Sequence, residues 1–404
     1  MRMLLSLSTE DRDMEAQPGY GEQVRSVGRE PDDFAMEVSV RTPSELDERI
    51  IGAWAELEQR SVEPNAYLSP WFVLPALKHL EPRVPVVVIL IERKGVVSRD
   101  LVGLGVYETV RRSGRIPMAH LRAFRSRHSY LTGLLLDRDC ASEASRAYFR
   151  FLRRDSSWHG VEVTVHPTDG QFGAIMTEAA RKEDVAWYEY GRSRRAILMP
   201  AKCGEDYLRE SVSSRELKDI RRRKRRLEEL GTVTWRALAG QEVDARCIDR
   251  FLDLEHRGWK GEHGSSLRSN AGDEAFFREM ATHFADHGRA IFTELAVNEV
   301  VIASTSNFVS GSGGFAFKLG WDPQFTRMAP GRLNEIELVR NGGSVFRDLD
   351  YVDSGAAEGS FIEDLWPDKR TLVSGVYAST AAARAVLGGM NHLRRLKRRL
   401  PFGS

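Results

Sequence analysis

Apolar positions recur regularly from Met36 onward and predict a chain that alternates between strands and helices. Two β-branched runs around a Lys94-Gly95 turn predict a pair of strands, and helical spacing begins after Ser44, a residue type that caps helices. In this first half we predict strands over 37–41, 84–92, 101–109, 160–165, 185–190 and 195–199, and helices after 44 and after 69 and over 141–153 and 172–181.

The second half repeats a similar order of elements. One long amphipathic helix is predicted from Gly204 to Leu230, and another opens at Asp273 near its cap. A third is predicted over 332–341, ended by Gly342-Gly343. The remaining predictions are helices over 244–259 and 361–366 and strands over 232–238, 289–296, 300–310, 314–321 and 348–354. This repetition predicts an α/β protein with two similar mixed sheets, flanked by helices and joined by the long basic helix.

The patterns also divide the chain into segments. Residues 1–35 hold eight acids and four arginines without an apolar period, which predicts a disordered tail. We expect a first domain over 36–200, a basic connecting helix over 201–230, a second domain over 231–375 and a basic helix or tail over 376–404.

Composition narrows the class of protein. An apolar content of 42% is enough for sizeable cores, and no apolar run approaches the length of a membrane-spanning helix. With three cysteines in 404 residues, neither a disulfide framework nor a cysteine zinc site is expected, which fits a cytoplasmic protein. These counts exclude a fully disordered chain and a coiled-coil rod.

A net charge of +1 conceals two basic elements on an acidic body. Residues 215–226 carry eight Lys or Arg against two acids, and 391–399 carry five more with no acid. Such local charge predicts contact with a polyanion at defined places. The first element lacks interleaved aromatics and a single basic face, so DNA is not an expected partner, whereas tRNA and a solvated structural helix both remain open. The tail fits peripheral contact with an anionic membrane.

The order of several short sequence segments in the second half resembles that of a known family. The segments are Arg221–Glu228 with Gly231, Trp259-Lys260, Phe277-Arg278-Glu279, Trp321-Asp322, Ala329-Pro330-Gly331 and the stretch from Asp350 to Glu358 before Trp366. Their order resembles the GNAT acyltransferase superfamily, most closely bacterial GNAT-like proteins encoded with cellulose and exopolysaccharide biosynthesis genes. The resemblance covers roughly 36–370 and implies two GNAT-like folds in tandem, related to Fem-type peptidoglycan aminoacyltransferases.

A donor site is predicted where a loop meets the helix after Pro330-Gly331. Free backbone N–H groups and the helix dipole favour an anion there, such as the pyrophosphate of coenzyme A, although a plain Pro-Gly helix start is the alternative. The candidate residues are Trp321, Arg327, Met328, Ala329, Pro330, Gly331 and Arg332. The superfamily pattern Gln/Arg-x-x-Gly-x-Gly/Ala has Pro330 and Arg332 at its fourth and sixth positions here, which leaves an acyl carrier or aminoacyl-tRNA donor open.

Acyl transfer also needs a base and a polarised carbonyl. The resemblance implies that the carbonyl meets backbone N–H groups around 318–321, where two strands separate. Candidate bases are Asp322, Asp350 and Asp353, each of which could instead cap or turn the chain, and Tyr351 is either a proton donor or a packed strand aromatic.

Candidate substrate residues come from both halves. The resemblance implies contact with a substrate for Trp259 and Lys260, whose alternative is a core Trp beside a solvated Lys. His128 lies in a polar loop and either lines the acceptor cleft or is structural, and Glu358 stands behind the candidate bases.

These features predict a GNAT-type N- or O-acyltransferase. It would move an acyl group, acetyl in the simplest case, from acyl-CoA to an amine or hydroxyl of a sugar or peptide precursor, without a metal. The second domain would bind the donor and the cleft between domains the acceptor. Two rivals remain: an aminoacyl-tRNA-dependent Fem-like transferase, and a non-catalytic partner of a polysaccharide synthase.

Overall fold

A computed structural model describes residues 36–95, 99–155 and 157–399; the predicted tail over 1–35 lies outside them. The strands of the first half are β1 (Met36–Arg41), β2 (Val86–Lys94), β3 (Arg99–Val110), β4 (His120–Ala123), β5 (Leu135–Leu136), β6 (Gly160–Pro167) and β7 (Ala186–Leu198). Its helices are α1 (Glu48–Gln59), α2 (Pro70–His79), α3 (Ala141–Arg154) and α4 (Gly170–Lys182).

The first half follows the predicted order, except that β4 and β5 were not predicted. Two predicted features also differ locally. Ser44 does not cap α1; it lies in a short 3-10 turn, and Asp47 caps the helix by accepting a hydrogen bond from the backbone N–H of Ile50. The two strands predicted over 185–199 form one continuous strand, β7, because its residues from Ala186 to Ile197, apart from a bulge at Tyr190, pair with a single long neighbour.

The second half contains β8 (Val233–Ala239), β9 (Ala290–Val297), β10 (Val300–Ser310), β11 (Gly313–Trp321), β12 (Tyr351–Asp353) and β13 (Asp368–Ala378). Its helices are α5 (Glu205–Ser211), α6 (Ser214–Glu228), α7 (Ala245–His256), α8 (Trp259–Glu262), α9 (Ala271–Asp286), α10 (Pro330–Val345) and α11 (Ala381–Arg399). A 3-10 helix over Phe361–Asp364 stands where a short helix was predicted.

Several helix boundaries differ from the prediction. The helix predicted over 244–259 ends at His256, and a separate short helix begins at Trp259. The single helix from Gly204 to Leu230 is wrong: it is two helices, because Ser213 caps α6 through its side-chain bond to the N–H of Glu216. Asn270, not Asp273, caps α9. Gly342 does not end α10, since a side chain there would stand 2.6 Å from Cys203 Sγ and glycine lets the helix continue at close contact.

All thirteen strands join one sheet. The order is β1-β2-β3-β4-β6-β13-β7-β12-β11-β10-β9-β8, with β5 paired to β3 off this path. The order reads symmetrically from both edges: β1 corresponds to β8, β2 to β9, β3 to β10, β4 to β11, β6 to β12 and β7 to β13. Each half contains one parallel pair, β4 with β6 and β11 with β12, at corresponding positions.

The predicted α/β class and the repeated order of elements are therefore confirmed, but the expectation of two separate sheets is wrong. The halves form a single sheet because they exchange their last strands at its centre. β7 pairs with β13 and β12, both from the second half, and β13 pairs with β6 and β7, both from the first. Each half completes the other.

Helices cover both faces of the sheet. On one face α1, α2, α7 and α9 share a single core that contains Trp54, Phe72, Phe276 and Phe317. On the other face α3 and α4 cover the first half, and α5, α6 and α10 cover the second. The basic helix α6 thus packs on the second half through Leu217, Ile220 and Leu227, and α10 faces away from the shared core.

Candidate active site

The parallel strands β11 and β12 separate after a short contact. They pair only over Gly313–Phe315 and Tyr351–Asp353, while β11 continues to Trp321 with β10 as its strand partner. A bulge in the β10–β11 ladder leaves Phe317 without an opposite residue. In the described part of the chain, the free edge of β11 therefore opens a gap beyond Phe315, around the predicted positions 318–321.

The amino end of α10 lies at this gap, because α10 connects the two strands and begins directly after the turn that ends β11. Pro330 is its first residue, and no side chain caps it. Ala329 before it adopts the left-handed conformation with φ of 51°. First-turn N–H groups without an intrahelical acceptor are favourable anion contacts.

The predicted donor residues surround this helix end. Gly331 is buried, and a Cβ there would stand 3.1 Å from Leu319 and 3.2 Å from Trp321, so its lack of a side chain lets α10 pack closely on β11. Met328 is half-buried against the core between α10 and the sheet, and the side chain of Arg327 is exposed. Arg332 forms ion pairs with Glu216 and Asp364.

A cavity of about 240 Å³ lies between this helix end and α6. It is lined by Glu216, Asp219, Ile220, Arg223, Ala329, Arg332, Leu333 and Ile336. Arg223 is held by Asp219 and Arg332 by Glu216. The guanidinium Nε of Arg332 is buried and has no hydrogen-bond partner in the described residues. The cavity therefore offers cations, each already matched by a carboxylate of α6.

The predicted bases occupy different environments. Asp322 is buried, accepts a hydrogen bond from the N–H of Gln324 and pairs with Arg257 at 2.7 Å. Asp350 and Glu358 are exposed. Asp353 is completely buried and accepts hydrogen bonds from Arg195, Arg370 and the N–H of Gly355.

Asp353 belongs to a buried network that joins the two halves at the last pairing of β12. Arg195 of β7 also donates to the backbone oxygens of Tyr130 at 2.8 Å and Ala356 at 3.1 Å. Arg370 of β13 binds Glu63, whose pKa burial raises. Such a neutral, fully paired network holds the strand ends in place.

Tyr351 lies in the same network. Its hydroxyl faces Glu63 at 3.4 Å and accepts a hydrogen bond from Arg370 at 3.3 Å. Burial raises the pKa of Tyr351 far above its usual range, so the phenol keeps its proton at every physiological pH.

On the opposite face, the strand end is lined by residues from both halves. Lys260 donates to the backbone oxygen of Leu319 at 2.9 Å and to Glu255 at 3.2 Å, and burial lowers its pKa. His128 reaches the same region from the first half and binds Asp273. The side chain of Trp259 lies outside the described residues.

Sequence reasoning missed several groups at this strand end. Lys318 lies over the ring of Phe317, Tyr130 packs against Phe317, and Arg195 and Arg370 hold Asp353. These contacts join segments far apart in the chain, and no local pattern indicates them. Only the arginines of β7 and β13, two strands in the middle of the sheet, could have indicated an internal charge network.

No group of three or more His, Cys, Asp or Glu within 36–95, 99–155 and 157–399 is placed to hold a metal ion. Of the helices in this described part of the chain, none has both the length and the apolar character required to cross a bilayer.

Comparison with known proteins supports the fold class. The family described as Acetyltransferase (GNAT) domain matches residues 214–360. No curated protein matches the chain. A crystal structure of FemX has a TM-score of 0.54 at 10% identity and covers 83% of this chain and 98% of its own.

Two further structures are similar. A conserved protein of unknown function from Bacteroides thetaiotaomicron VPI-5482 has a TM-score of 0.51 at 12% identity, over 83% of this chain and 100% of its own. A tandem GNAT protein from the clavulanic acid biosynthesis pathway has a TM-score of 0.40 at 13% identity, over 86% of this chain and 99% of its own. Because the first half repeats the strand order of the GNAT-matched second half, the predicted tandem of GNAT-like units is confirmed.

Proposed function

We propose that this protein is a GNAT-type acyltransferase. It takes an acyl group, acetyl in the simplest case, from acyl-CoA and passes it to an amine or hydroxyl of a sugar or peptide precursor, as in the synthesis of an envelope polysaccharide. The match of residues 214–360 supports the reaction class. The observation that carries the proposal is the separation of β11 from β12 at the uncapped amino end of α10.

This arrangement suits a thioester with a charged tail. The pyrophosphate would lie at the first turn of α10, where exposed Arg327 supplies a further positive charge. The acyl carbonyl would lie in the gap, where N–H groups on the free edge of β11 polarise it. The acceptor would enter from the opposite face, which carries Lys260, Lys318 and the loop of His128. Donor and acceptor would thus meet through the gap in the sheet.

Coenzyme A binding tests the donor site. We expect coenzyme A at 100 times its dissociation constant to stabilise the wild type by about 2.7 kcal/mol. Arg327→Ala should weaken binding by about 1.5–3 kcal/mol, because one charge-assisted contact is lost. The control is Arg347→Ala, which removes the same charge from an exposed position just beyond the other end of α10 and should leave the thermal shift unchanged.

Equal thermal shifts in the wild type and both variants would show that the donor does not bind beside Arg327 at the amino end of α10. The substitution Gly331→Asp is a poorer probe than Arg327→Ala, because any side chain at 331 also presses on Leu319 and Trp321. Release of free thiol from acetyl-CoA in the presence of amines and amino sugars then tests transfer itself.

One observation favours a second donor class, aminoacyl-tRNA. Five cations on the outer side of α6 are exposed and make no ion pair within the described part of the chain: Arg215, Lys218, Arg221, Arg225 and Arg226. A phosphate backbone fits such a surface, and its binding would weaken steeply with salt. Salt-dependent tRNA binding without any coenzyme A shift would select this donor. If neither ligand binds, the non-catalytic alternative stands.

A further inference from the structure

We propose that His128, held by Asp273, is the base that removes the proton from the acceptor. This assignment rests on the proposed acyl transfer and names the group that activates the acceptor on its side of the sheet. The two residues come from different halves and lie 145 positions apart in the chain.

The loop after β4 brings His128 to the free end of β11. Its imidazole stacks on Phe276 with centroids 5.4 Å apart and an interplanar angle of 8°, and it lies 6.2 Å from the ring of Phe317. Phe317 is the bulged residue just past the last pairing with β12. His128 is therefore fixed beside the gap, on the face opposite α10.

Asp273 determines which imidazole nitrogen is available. Its Oδ1 lies 2.7 Å from His128 Nε2 and 2.6 Å from Arg127 Nε. Although burial alone would raise it, the pKa of Asp273 is lowered by the hydrogen bond from His128 and by the charge of Arg127, so the carboxylate is ionised and can only accept. Nε2 therefore carries the hydrogen, and the lone pair is on Nδ1.

Nδ1 is free to act. Within the described residues it makes no hydrogen bond, and 9% of the His128 side chain remains exposed to solvent. This is the geometry of a base oriented by a third group, in which one nitrogen is anchored and the other faces the reactant.

Burial, supported by two nearby cations, keeps His128 neutral near pH 7. Burial lowers its pKa, the hydrogen bond to Asp273 opposes that effect, and Lys318 of β11 and Arg127 of its own loop lower it further. A neutral imidazole can accept a proton, whereas an imidazolium cannot. Of the predicted bases, Asp322 and Asp353 are already bound to arginines, and Asp350 is exposed, as is Glu358 behind them.

The step balances without a further reactant. The lone pair of the acceptor nitrogen or oxygen forms a bond to the thioester carbon, and its proton passes to Nδ1 of His128. The carbon–sulfur bond then breaks, and its electron pair leaves on the coenzyme A sulfur. The thiolate takes up one proton from solvent, and the imidazolium releases one to solvent. Asp273 is a positioning residue that stabilises the imidazolium.

The test uses the full chain, acetyl-CoA and two small acceptors. Ethanolamine is protonated at pH 7 and must lose a proton before its nitrogen can attack, whereas hydroxylamine already has a free lone pair and loses a proton only as the product forms. His128→Gln keeps a donor toward Asp273 but cannot accept the proton. We expect thiol release with ethanolamine to fall about 10²–10⁴-fold, with a much smaller loss for hydroxylamine and an unchanged coenzyme A thermal shift. His287→Gln, the same change at an exposed histidine, is the control and should match the wild type.

Two further readouts separate a base from a structural residue. Added imidazole should restore turnover to His128→Ala but not change the wild type. Asp273→Asn should move the acidic limb of the pH–rate profile to lower pH, because the imidazolium loses its carboxylate partner.

Equal ethanolamine rates in wild type and His128→Gln would overturn the assignment while leaving acyl transfer intact. A wild type that turns over hydroxylamine, but neither ethanolamine nor water above the solution rate, would overturn it as well. If the wild type shows neither a coenzyme A shift nor thiol release with hydroxylamine, the proposed function itself fails, and the assignment fails with it.

Discussion

Glu335 lies on the buried face of α10, where the hydroxyl of Thr305 donates to its carboxyl at 2.5 Å. It is 3% exposed, and burial raises its pKa to about 7, against the hydrogen bond from Thr305. Other buried carboxylates, such as Glu58 beside Arg289, have a guanidinium partner. In the described part of the chain Glu335 has no such cationic partner, so the carboxyl is neutralised by binding a proton.

Protonation of Glu335 makes stability depend on pH. The folded pKa of about 7 exceeds the ordinary value of 4.5, so the folded state holds this proton more tightly than the unfolded chain. The resulting stability is complete below pH 4.5 and is lost as pH rises through 7, by up to about 3 kcal/mol. Glu335→Gln should remove this contribution, so the free energy of unfolding of the variant should rise relative to that of the wild type between pH 4.5 and 8. Urea unfolding at several pH values measures the difference; a constant difference would contradict a raised pKa.

Single residues also mark how far the sequence could predict the site. The order of elements and the resemblance indicate the separation of strands near 318–321 and the helix end at Pro330. They do not indicate that Asp353 is bound by Arg195 and Arg370, or that His128 binds Asp273, because those partners lie on other elements. A carboxylate at a strand end looks the same in the sequence whether it is free or paired.

The contact between α7 and β11 is backbone against backbone. A Cβ at Gly320 would stand 2.5 Å from the backbone nitrogen of Glu255 and 2.9 Å from the carbonyl carbon of Leu254. The helix that carries Glu255, a partner of Lys260, thus packs directly on the strand that borders the gap. Glycine at this position sets the distance between the two elements.

We expect Gly320→Ala to force α7 away from β11 and to lower the free energy of unfolding by about 1–3 kcal/mol. Gly52→Ala is the matched control, because a Cβ there would meet nothing within 4 Å inside α1, and it should raise stability by about 0.5–1 kcal/mol. Denaturant unfolding of both variants gives the comparison. Equal effects would show that the α7–β11 contact is not tight.

At the scale of elements, the sequence was informative where a pattern is local. The adjacent strands over 289–296 and 300–310 and the start of a helix after residue 69 were predicted because neighbouring residues determine them. Errors arose where tertiary contacts override a local signal. Gly342-Gly343 read as a helix end, yet α10 continues because its glycines face the segment before α5.

The whole molecule is held together by its exchanged strands. β7 has both of its neighbours in the second half and β13 has both of its neighbours in the first, and their ladder runs from the Asp368–Ile197 pair to the Ala378–Ala186 pair. The repeat could be predicted from the order of elements, but the exchange could not, since β13 was not among the predicted strands. It depends on which of two equivalent edges each strand joins, and the sequences of the strands do not specify that choice.

Cutting the chain between the halves tests this dependence. Fragments 1–203 and 204–404, expressed separately, should each lack cooperative unfolding, because a central strand in each has lost its partners. Mixed together, they should recover the cooperative transition of the intact chain, followed by circular dichroism during urea titration. A fragment that unfolds cooperatively by itself would show that its half closes its own sheet.

The same exchange imposes an order on synthesis. β6 and β7 leave the ribosome long before β13, which needs a further stretch of chain up to Ala378. At common elongation rates, the two strands wait on the order of ten to thirty seconds with open edges. During that interval the unpaired strand edges of the nascent first half can pair with other chains. Cells that make this protein would therefore depend on a low encounter rate between nascent chains or on a chaperone. A message truncated before β13 would yield an aggregating chain rather than a folded half.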